Sequence, residues 1–385
     1  MRGSAAVTEP VCRACRGQSG DLVLDLGEQP ACDFFPAAAE PGPDPAYPLE
    51  MWLCAGCGLA QLVADPTVPE EPRAAEPAAL TEQAVDATAR VAAAGLLPAG
   101  GRVAEYGSPH GGSWLGLLAG RGLTPVAGDE QAEVVLDCFG LMHAADQAGA
   151  LAGRVARVAA GGVLMLQYHS LEAIVRCGQW NALRHGHYAY YSTTALANML
   201  AAAGCTAQAA WTFPLYGGTV LLAARRDADG ASGPGGGAGP DEAVRALLDQ
   251  DARTGVRDPA VLAGLGRSAA ARAEGLHDWL AAERSAGRRV LGYGAASRAV
   301  ALLCRAGADR RLLPAVADAS PGKQGRRMPG TDIPVISPDR LAADPPDSVL
   351  LFLDDLLPEV RTAYPQVETA GGRWVTADGL AAASR

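Results

Sequence analysis

The sequence predicts an α/β protein in which an N-terminal zinc-binding domain precedes two Rossmann-like parallel-sheet domains. Three observations carry this: two CxxC pairs near the N-terminus, strand–helix alternation in two later blocks, and a Gly/Ser/Pro-rich stretch between those blocks. Residues 1–75 are rich in Cys, Pro and turn residues, with strand-like runs at Leu22–Leu26 and Tyr47–Leu53. Residues 76–228 alternate helical and strand patterns and close on a strand at Val220–Ala224. Residues 227–242, DADGASGPGGGAGPDE, hold too little apolar surface to pack and read as a flexible linker. Residues 243–385 resume the alternation, with strands at RVLGYG, AVAD and SVLLFL. Strands alternating with helices imply parallel sheets.

The chain has 385 residues, enough for two or three domains with an ample core. Its formal net charge is −10 and it holds no Lys/Arg block, so nucleic acid is not an expected partner. It contains no charge-free apolar run of the roughly 18 residues that a membrane span needs. Met1–Pro10 lacks the apolar core of a secretory signal. The nine cysteines are an odd number and four of them form close pairs, which suits metal ligation in a cytoplasmic setting better than a disulfide framework.

Each pair, Cys12/Cys15 and Cys54/Cys57, places two thiolates on one tight turn. Two such knuckles supply four sulfurs in tetrahedral array, the geometry Zn²⁺ accepts, and leave no position for water. The expected metal is therefore structural. Gly17 and Gly58 follow the knuckles closely, where the backbone must stay open.

In the second block, the strand that contains Glu105 runs into a Gly-rich turn, Gly107, Ser108, Pro109, His110, Gly111, and a helix from about Ser113. Such a turn lets a ligand approach the backbone at a helix N-terminus, or serves only to reverse the chain. Asp129 follows the strand TPVAG, where an acid either accepts hydrogen bonds from ribose hydroxyls or stands solvated. Strands are also expected at Glu133–Cys138 and Gly161–Gln167. Three of the six histidines lie close together, at 169, 185 and 187, beside Arg184, Tyr190 and Tyr191. Imidazole suits proton removal near neutral pH. His185 and His187 need not share a role. A metal pair and plain loop histidines are the competing assignments.

These segments together resemble the nucleotide-sugar C-methyltransferases of deoxysugar biosynthesis. The resemblance is carried by Cys12/Cys15, LDLGEQPACDFF, YPLEMWLCAGCGLAQL, VLGYGAASRAVALL (290–303), AVADASPGKQGRRMPGTDIPVISPDRL (315–341) and DSVLLFL (347–353). It implies a zinc-binding domain, a domain that binds S-adenosylmethionine (SAM) and a C-terminal nucleotide-sugar-binding domain. The implied chemistry is proton removal beside the ketone of a dTDP-linked keto-deoxyhexose, followed by methylation of the enolate. The family's base is the second histidine of a Tyr-His-Glu-His-x-x-Tyr-x-Ser motif, which reads Arg184-His-Gly-His187-Tyr-Ala-Tyr190-Tyr-Ser192 here. His187 thus inherits the base position, with His185, Arg184 and Tyr190 around it. Arg184 and Gly186 replace the motif's Tyr and Glu, and Arg184 can still stabilise an enolate by charge.

On the SAM side the implied contacts are Glu105, Gly107, Ser108, Gly111 and Asp129. The family's Gly-Ser-Asn-Asp-Gly turn is altered there, and only Glu130–Ala132 stand between Asp129 and the next strand, where the family inserts several tens of residues. On the substrate side they are Tyr191, Tyr216 in a Tyr-Gly-Gly-Thr run, and Gly294, Ser297, Arg298 and Lys323 for the nucleotide diphosphate. Because the departures cluster on the SAM side, three outcomes stay open: SAM-dependent methylation, a SAM-independent epimerase or isomerase using the same enolate, and a non-catalytic partner.

Overall fold

The computed structural model describes residues 10–40, 42–67, 78–107, 112–226 and 239–383. In chain order, the first block contributes β1 (Gly20–Pro30), β2 (Ala46–Cys54) and β3 (Ala60–Leu62). The middle block begins with α1 (Ala78–Ala93), β4 (Arg102–Tyr106), α2 (Leu115–Ala119), β5 (Thr124–Pro125) and β6 (Ala132–Cys138). It continues through α3 (Gln147–Ala156), β7 (Val158–His169), α4 (Leu171–Cys177), β8 (Ala189–Tyr190), α5 (Thr193–Ala202), β9 (Cys205–Phe213) and β10 (Thr219–Arg226). Then come α6 (Glu242–Thr254), α7 (Pro259–Leu262), α8 (Gly264–Ser285), β11 (Val290–Tyr293) and α9 (Ser297–Arg305). The last strands are β12 (Val316–Ala317), β13 (Val335–Ile336), β14 (Ser348–Leu351) and β15 (Arg373–Thr376).

The fold is mixed α/β, with parallel pairing at the centre of two sheets. The middle sheet runs β5-β4-β6-β7-β10-β9. Strands β4, β5, β6 and β7 pair in parallel, and β10 pairs antiparallel with both β7 and β9. The C-terminal sheet, β13-β12-β11-β14-β15, is parallel throughout. Central strands are covered on both faces, which is why β6 and β14 are almost wholly buried apolar runs. In each sheet the chain moves outward on one side of a first strand and then crosses to the other: β4 to β5 and back to β6, β11 to β12 and back to β14. Doubly wound sheets bind ligands at such switch points, beyond the carboxyl ends of the strands.

Three segments depart from the expected block boundaries. Strand β8 lies in the middle of the sequence but pairs with β3, so it completes the N-terminal sheet β1-β2-β3-β8. Helix α6 follows the Gly-rich stretch, most of which lies outside the described residues, yet it packs back on the middle domain. Its Val244 joins that core with Leu247 and Leu248, and Asp251 accepts hydrogen bonds from Thr194 N and Oγ1 at 2.7 and 2.9 Å. The expected strand TPVAG shortens to Thr124–Pro125, because Pro125 has no N–H and β5 is an edge.

The N-terminal sheet shares cores with both other units. Cys12, Trp52, Cys54 and Leu59 pack with the middle sheet, whereas Val23, Leu26 and Leu49 pack with α8 and α9. Helix α8 buries Leu265, Ala269, Ala273, Leu276 and Leu280, a stripe at helical spacing. A buried ion pair locks the first block to the last: Arg327 Nη1 and Nη2 donate to Asp44 Oδ2 and Oδ1 at 2.7 and 2.6 Å. No helix among the described residues is long and apolar enough to cross a membrane.

Removing one partner of a buried ion pair leaves an uncompensated charge. Asp44→Asn is therefore expected to destabilise the fold by about 3–5 kcal/mol in urea melts. Burial pushes the Asp44 carboxyl upward, but the Arg327 hydrogen bonds outweigh it and hold the carboxyl below its ordinary range. A depressed carboxyl stabilises above its unfolded pKa, so this contribution is present at neutral pH. It disappears as pH falls through the acidic range, and the Asp44→Asn penalty should shrink with it.

Candidate active site and zinc knuckle

The two knuckles meet. Cys12 Sγ lies 3.5 Å from Cys57 Sγ and Cys15 Sγ lies 3.6 Å from Cys54 Sγ, and all four sulfurs fall within 4.8 Å of one another. A tetrahedron with Zn–S bonds of about 2.3 Å has edges of about 3.8 Å, so the cluster fits zinc with no open position. The cysteines form a structural zinc site. Gly58 has φ +79°, and a Cβ there would press on Arg257 at 3.1 Å. Arg257 in turn donates to the carbonyls of Ala55 and Gly56, both at 3.2 Å, and caps the second knuckle.

The knuckle sets the position of β3, and β3 sets the position of the histidine segment. Ala60 pairs with Tyr190 and Gln61 with Ala189, and Leu62 N donates to Tyr188 O at 3.2 Å. From the other side, Gly186 N donates to Asp65 Oδ2 at 2.5 Å and Tyr188 N to Met142 O at 2.8 Å. These bonds aim His187 and His185 in opposite directions. His185 is buried against β2, with Nε2 at 3.2 Å from Pro48 O and its ring edge-on to Tyr47. It lies outside the cleft, because the turn at Gly186, φ +83°, carries it toward the N-terminal sheet. His187 faces a cavity between the middle and C-terminal sheets.

That cavity lies where the two switch points meet. Phe139 and Met142 line it beyond β6, Gly294 and Ala296 beyond β11, and Leu353 beyond β14. Arg184, His187, Tyr190, Tyr216, Gly294, Ser297, Arg298 and Lys323, scattered over 140 residues of sequence, are brought together there. Tyr191 is not: its ring is core and its hydroxyl donates to Gln147 Oε1.

Arg184 Nε lies 2.8 Å from His187 Nε2, and Nη2 is also in contact. A guanidinium only donates, so Nε2 must present a bare lone pair. The Tyr190 hydroxyl accepts from Arg184 N at 3.0 Å and braces the same turn. Tyr216 sits at φ +57°, a strained conformation for a non-glycine residue. Its amide donates to Asp355 Oδ2 at 2.6 Å, and next to it Gly217, φ +81°, leaves no room for a side chain, since a Cβ would meet Gln179 at 2.3 Å. Ser297 opens α9, and Lys323 Nζ donates to Ala295 O at 3.0 Å in the Gly294 turn.

Two histidines that the motif did not assign also belong to this region. His143 follows β6 and sits edge-on to His187, ring centroids 4.5 Å apart. Burial, then the charge of Arg184, pulls its pKa down to about 4. His169, at the end of β7, lines the cavity and is held neutral by burial and then by Arg298. The sequence signal for His143 was its place just beyond the C-terminal end of a central strand.

The SAM-side residues lie elsewhere. Gly107 follows β4, and Ser108 and Gly111 lie outside the described residues. Glu105 accepts from Trp114 N at 2.7 Å and from the Ser113 hydroxyl, which ties it to the start of α2. Asp129 is exposed on a turn after β5, and Glu130 and Gln131 alone separate it from β6. Among the described residues no strand or helix stands between the two to wall an adenine. None of Glu105, Gly107 and Asp129 lines the cavity.

Two measurements test this arrangement. The protein should carry one zinc per chain by elemental analysis, and chelation should speed hydrogen exchange at the backbone amides of the β3–β8 pair more than in the C-terminal sheet. Below the ordinary imidazole pKa of about 6.5 an unfolded histidine binds a proton. Folded His143 does not until about 4. Stability should therefore fall as pH drops through that window, and His143→Gln should flatten the slope of melting temperature against pH.

The comparisons agree with the first and last parts of this architecture. A family model described as "C-methyltransferase C-terminal domain" matches residues 214–377, and one described as a "zinc binding domain" matches residues 12–70. The C-methyltransferase NovU of Streptomyces niveus is 25% identical over 239 residues, which span 62% of this chain and 54% of that protein, about half its length. Among solved structures, the N-methyltransferase NodS of Bradyrhizobium japonicum overlays 39% of this chain and 92% of its own, with 13% identity and a TM-score of 0.30. The 1,6-didemethyltoxoflavin-N1-methyltransferase of Burkholderia thailandensis overlays 44% and 96%, with 17% identity and a TM-score of 0.29. With both of the family's flanking domains in place, the chain belongs to the C-methyltransferase family that joins a zinc-binding N-terminal domain to a C-methyltransferase C-terminal domain.

Proposed function

We propose that this protein is a sugar C-methyltransferase-type enzyme that removes a proton beside the ketone of a nucleotide-linked, dTDP-type keto-sugar, with His187 as the base. One observation supports this above all: a histidine with a bare Nε2 and the Gly294–Arg298 turn line the same cavity from different domains. A nucleotide diphosphate at Gly294, Ser297 and Lys323 would leave its sugar between Tyr190 and Tyr216, next to His187. The imidazole then takes the proton from the carbon beside the ketone. Arg184 leaves Nε2 for the ketone oxygen and stabilises the developing enolate, where a preorganised cation acts more strongly than in water. Neutral His143 packs on the base and adds no competing charge.

SAM, by family default, supplies an electrophilic methyl group for the enolate carbon, with Glu105, Gly107 and Asp129 at the strand ends to receive it. A second reading keeps the enolate but not the methyl donor: a SAM-independent epimerase or isomerase. The exposed Asp129 beside a two-residue β5, with no strand or helix among the described residues between it and β6, favours it.

Solvent deuterium should enter the carbon beside the ketone of a dTDP-4-keto-deoxyhexose, and His187→Ala should abolish the uptake. Arg184→Gln should slow it roughly a hundredfold, the usual cost of losing one oxyanion donor. Uptake that survives in His187→Ala would exclude the proposed base. Calorimetry separates the two readings, since heat on titration with SAM supports methylation and its absence at high concentration supports the second.

A further inference from the structure

We propose that Asp355 is a positioning residue for the proton transfer: it holds Tyr216 in a strained backbone conformation that sets the phenol ring in the cleft, and Arg298 of the same domain clamps that ring. The inference rests on the reading of the cleft as a nucleotide-sugar site and adds the residue that fixes the wall beside the sugar.

Tyr216 lies in the turn between β9 and β10 at φ +57° and ψ 24°, and Gly217 and Gly218 after it also have positive φ. A side chain in this region is strained, and it persists only where its surroundings over-determine it. A glycine would sit here without strain. What a tyrosine adds is its ring, which lines the cavity that His187 faces.

Three groups fix the residue. Asp355 Oδ2 accepts from Tyr216 N at 2.6 Å. His169, at the end of β7, hydrogen-bonds to the Tyr216 backbone. The Arg298 guanidinium lies over the ring, 5.2 Å from its centroid, and its Nη2 donates to His169 Nδ1 at 3.1 Å. Burial, then the charge of Arg184, lowers the Arg298 pKa, and Asp355 and Asp378 oppose this as its counter-charges. The cation is thus compensated within the protein, which suits a neutral sugar. Asp355 and Arg298 belong to the C-terminal domain, whereas Tyr216 and His169 belong to the middle one. The ring therefore takes its place only where the two domains meet.

Asp355 does not line the cavity, so it reaches the reaction through Tyr216. Without it the Tyr216 amide loses its acceptor and the strained turn relaxes. A wall displaced by about 1 Å misaligns a bound sugar with His187 Nε2.

The test is deuterium uptake by a dTDP-4-keto-deoxyhexose, with dTDP affinity measured by calorimetry on the same full-length proteins. Asp355→Ala should lower kcat roughly a hundredfold and leave dTDP affinity unchanged. Asp355→Asn, whose side-chain oxygen still accepts from the amide, should retain nearly the full rate. In a Tyr216→Gly background, Asp355→Ala should cause no further loss, because the residue through which it acts is gone. A full rate in Asp355→Ala would overturn the inference, as would an equal loss in Asp355→Asn or an added loss in the Tyr216→Gly background. Loss of dTDP affinity in Asp355→Ala would also overturn it, by assigning Asp355 to the fold or to the nucleotide. If the unaltered protein shows no uptake, the reading of the cleft itself falls and this inference with it.

Discussion

The arrangement depends on a short antiparallel pairing: Ala60 and Gln61 of β3 against Ala189 and Tyr190 of β8. A two-residue strand has little stability alone, so β8 exists because β3 is already fixed. Strand β3 is fixed because it leaves the second cysteine knuckle within three residues of Cys57. The metal site thus acts on the histidine segment through the backbone, although no ligand of the metal approaches the cleft. The turn at Gly186, φ +83° and held by Asp65, separates the two histidines, so that His187 faces the cleft while His185 packs against β2.

The second constraint is topological. Both sheets reverse direction next to their first strand, and the fold sets those two switch points against one cavity. Each supplies what the other lacks. The middle sheet brings histidines at strand ends, and the C-terminal sheet brings a glycine turn, a helix start and Lys323. The electrostatics follow. Three imidazoles sit close to two guanidinium groups, and for His143 and His169 burial and those charges keep the ring neutral. A neutral ring with a bare nitrogen beside a cation is the arrangement that suits removal of a weakly acidic proton and stabilisation of the anion left behind.

Much of this was legible in the residues. Knuckle spacing announced the metal site, and alternation announced both sheets, because long buried strands carry an unbroken apolar signal. The opposed directions of His185 and His187 come from the positive-φ turn at Gly186 and not from strand geometry, which would put residues two apart on one face. The signal failed where tertiary partners decide. Strand β8 has no local pattern and forms only on β3. Helix α6 follows the Gly-rich stretch yet returns to the middle core through Val244, which linear composition cannot register. Tyr191 stood in a run of candidate site residues, but its hydroxyl reaches Gln147, a partner 44 residues away. His143 carried no motif and gained its place from the crossing of β6, and the direction of Arg298 depends on a contact 129 residues distant.

The most direct measurement is a crystal structure of the protein with a dTDP-linked keto-sugar. The account predicts the diphosphate along the Gly294–Ser297 turn and the carbon beside the ketone within about 3–3.5 Å of His187 Nε2, with Arg184 turned toward the ketone oxygen. A sugar held elsewhere, with the His187–Arg184 contact intact and the cavity between the two sheets unfilled, would contradict it.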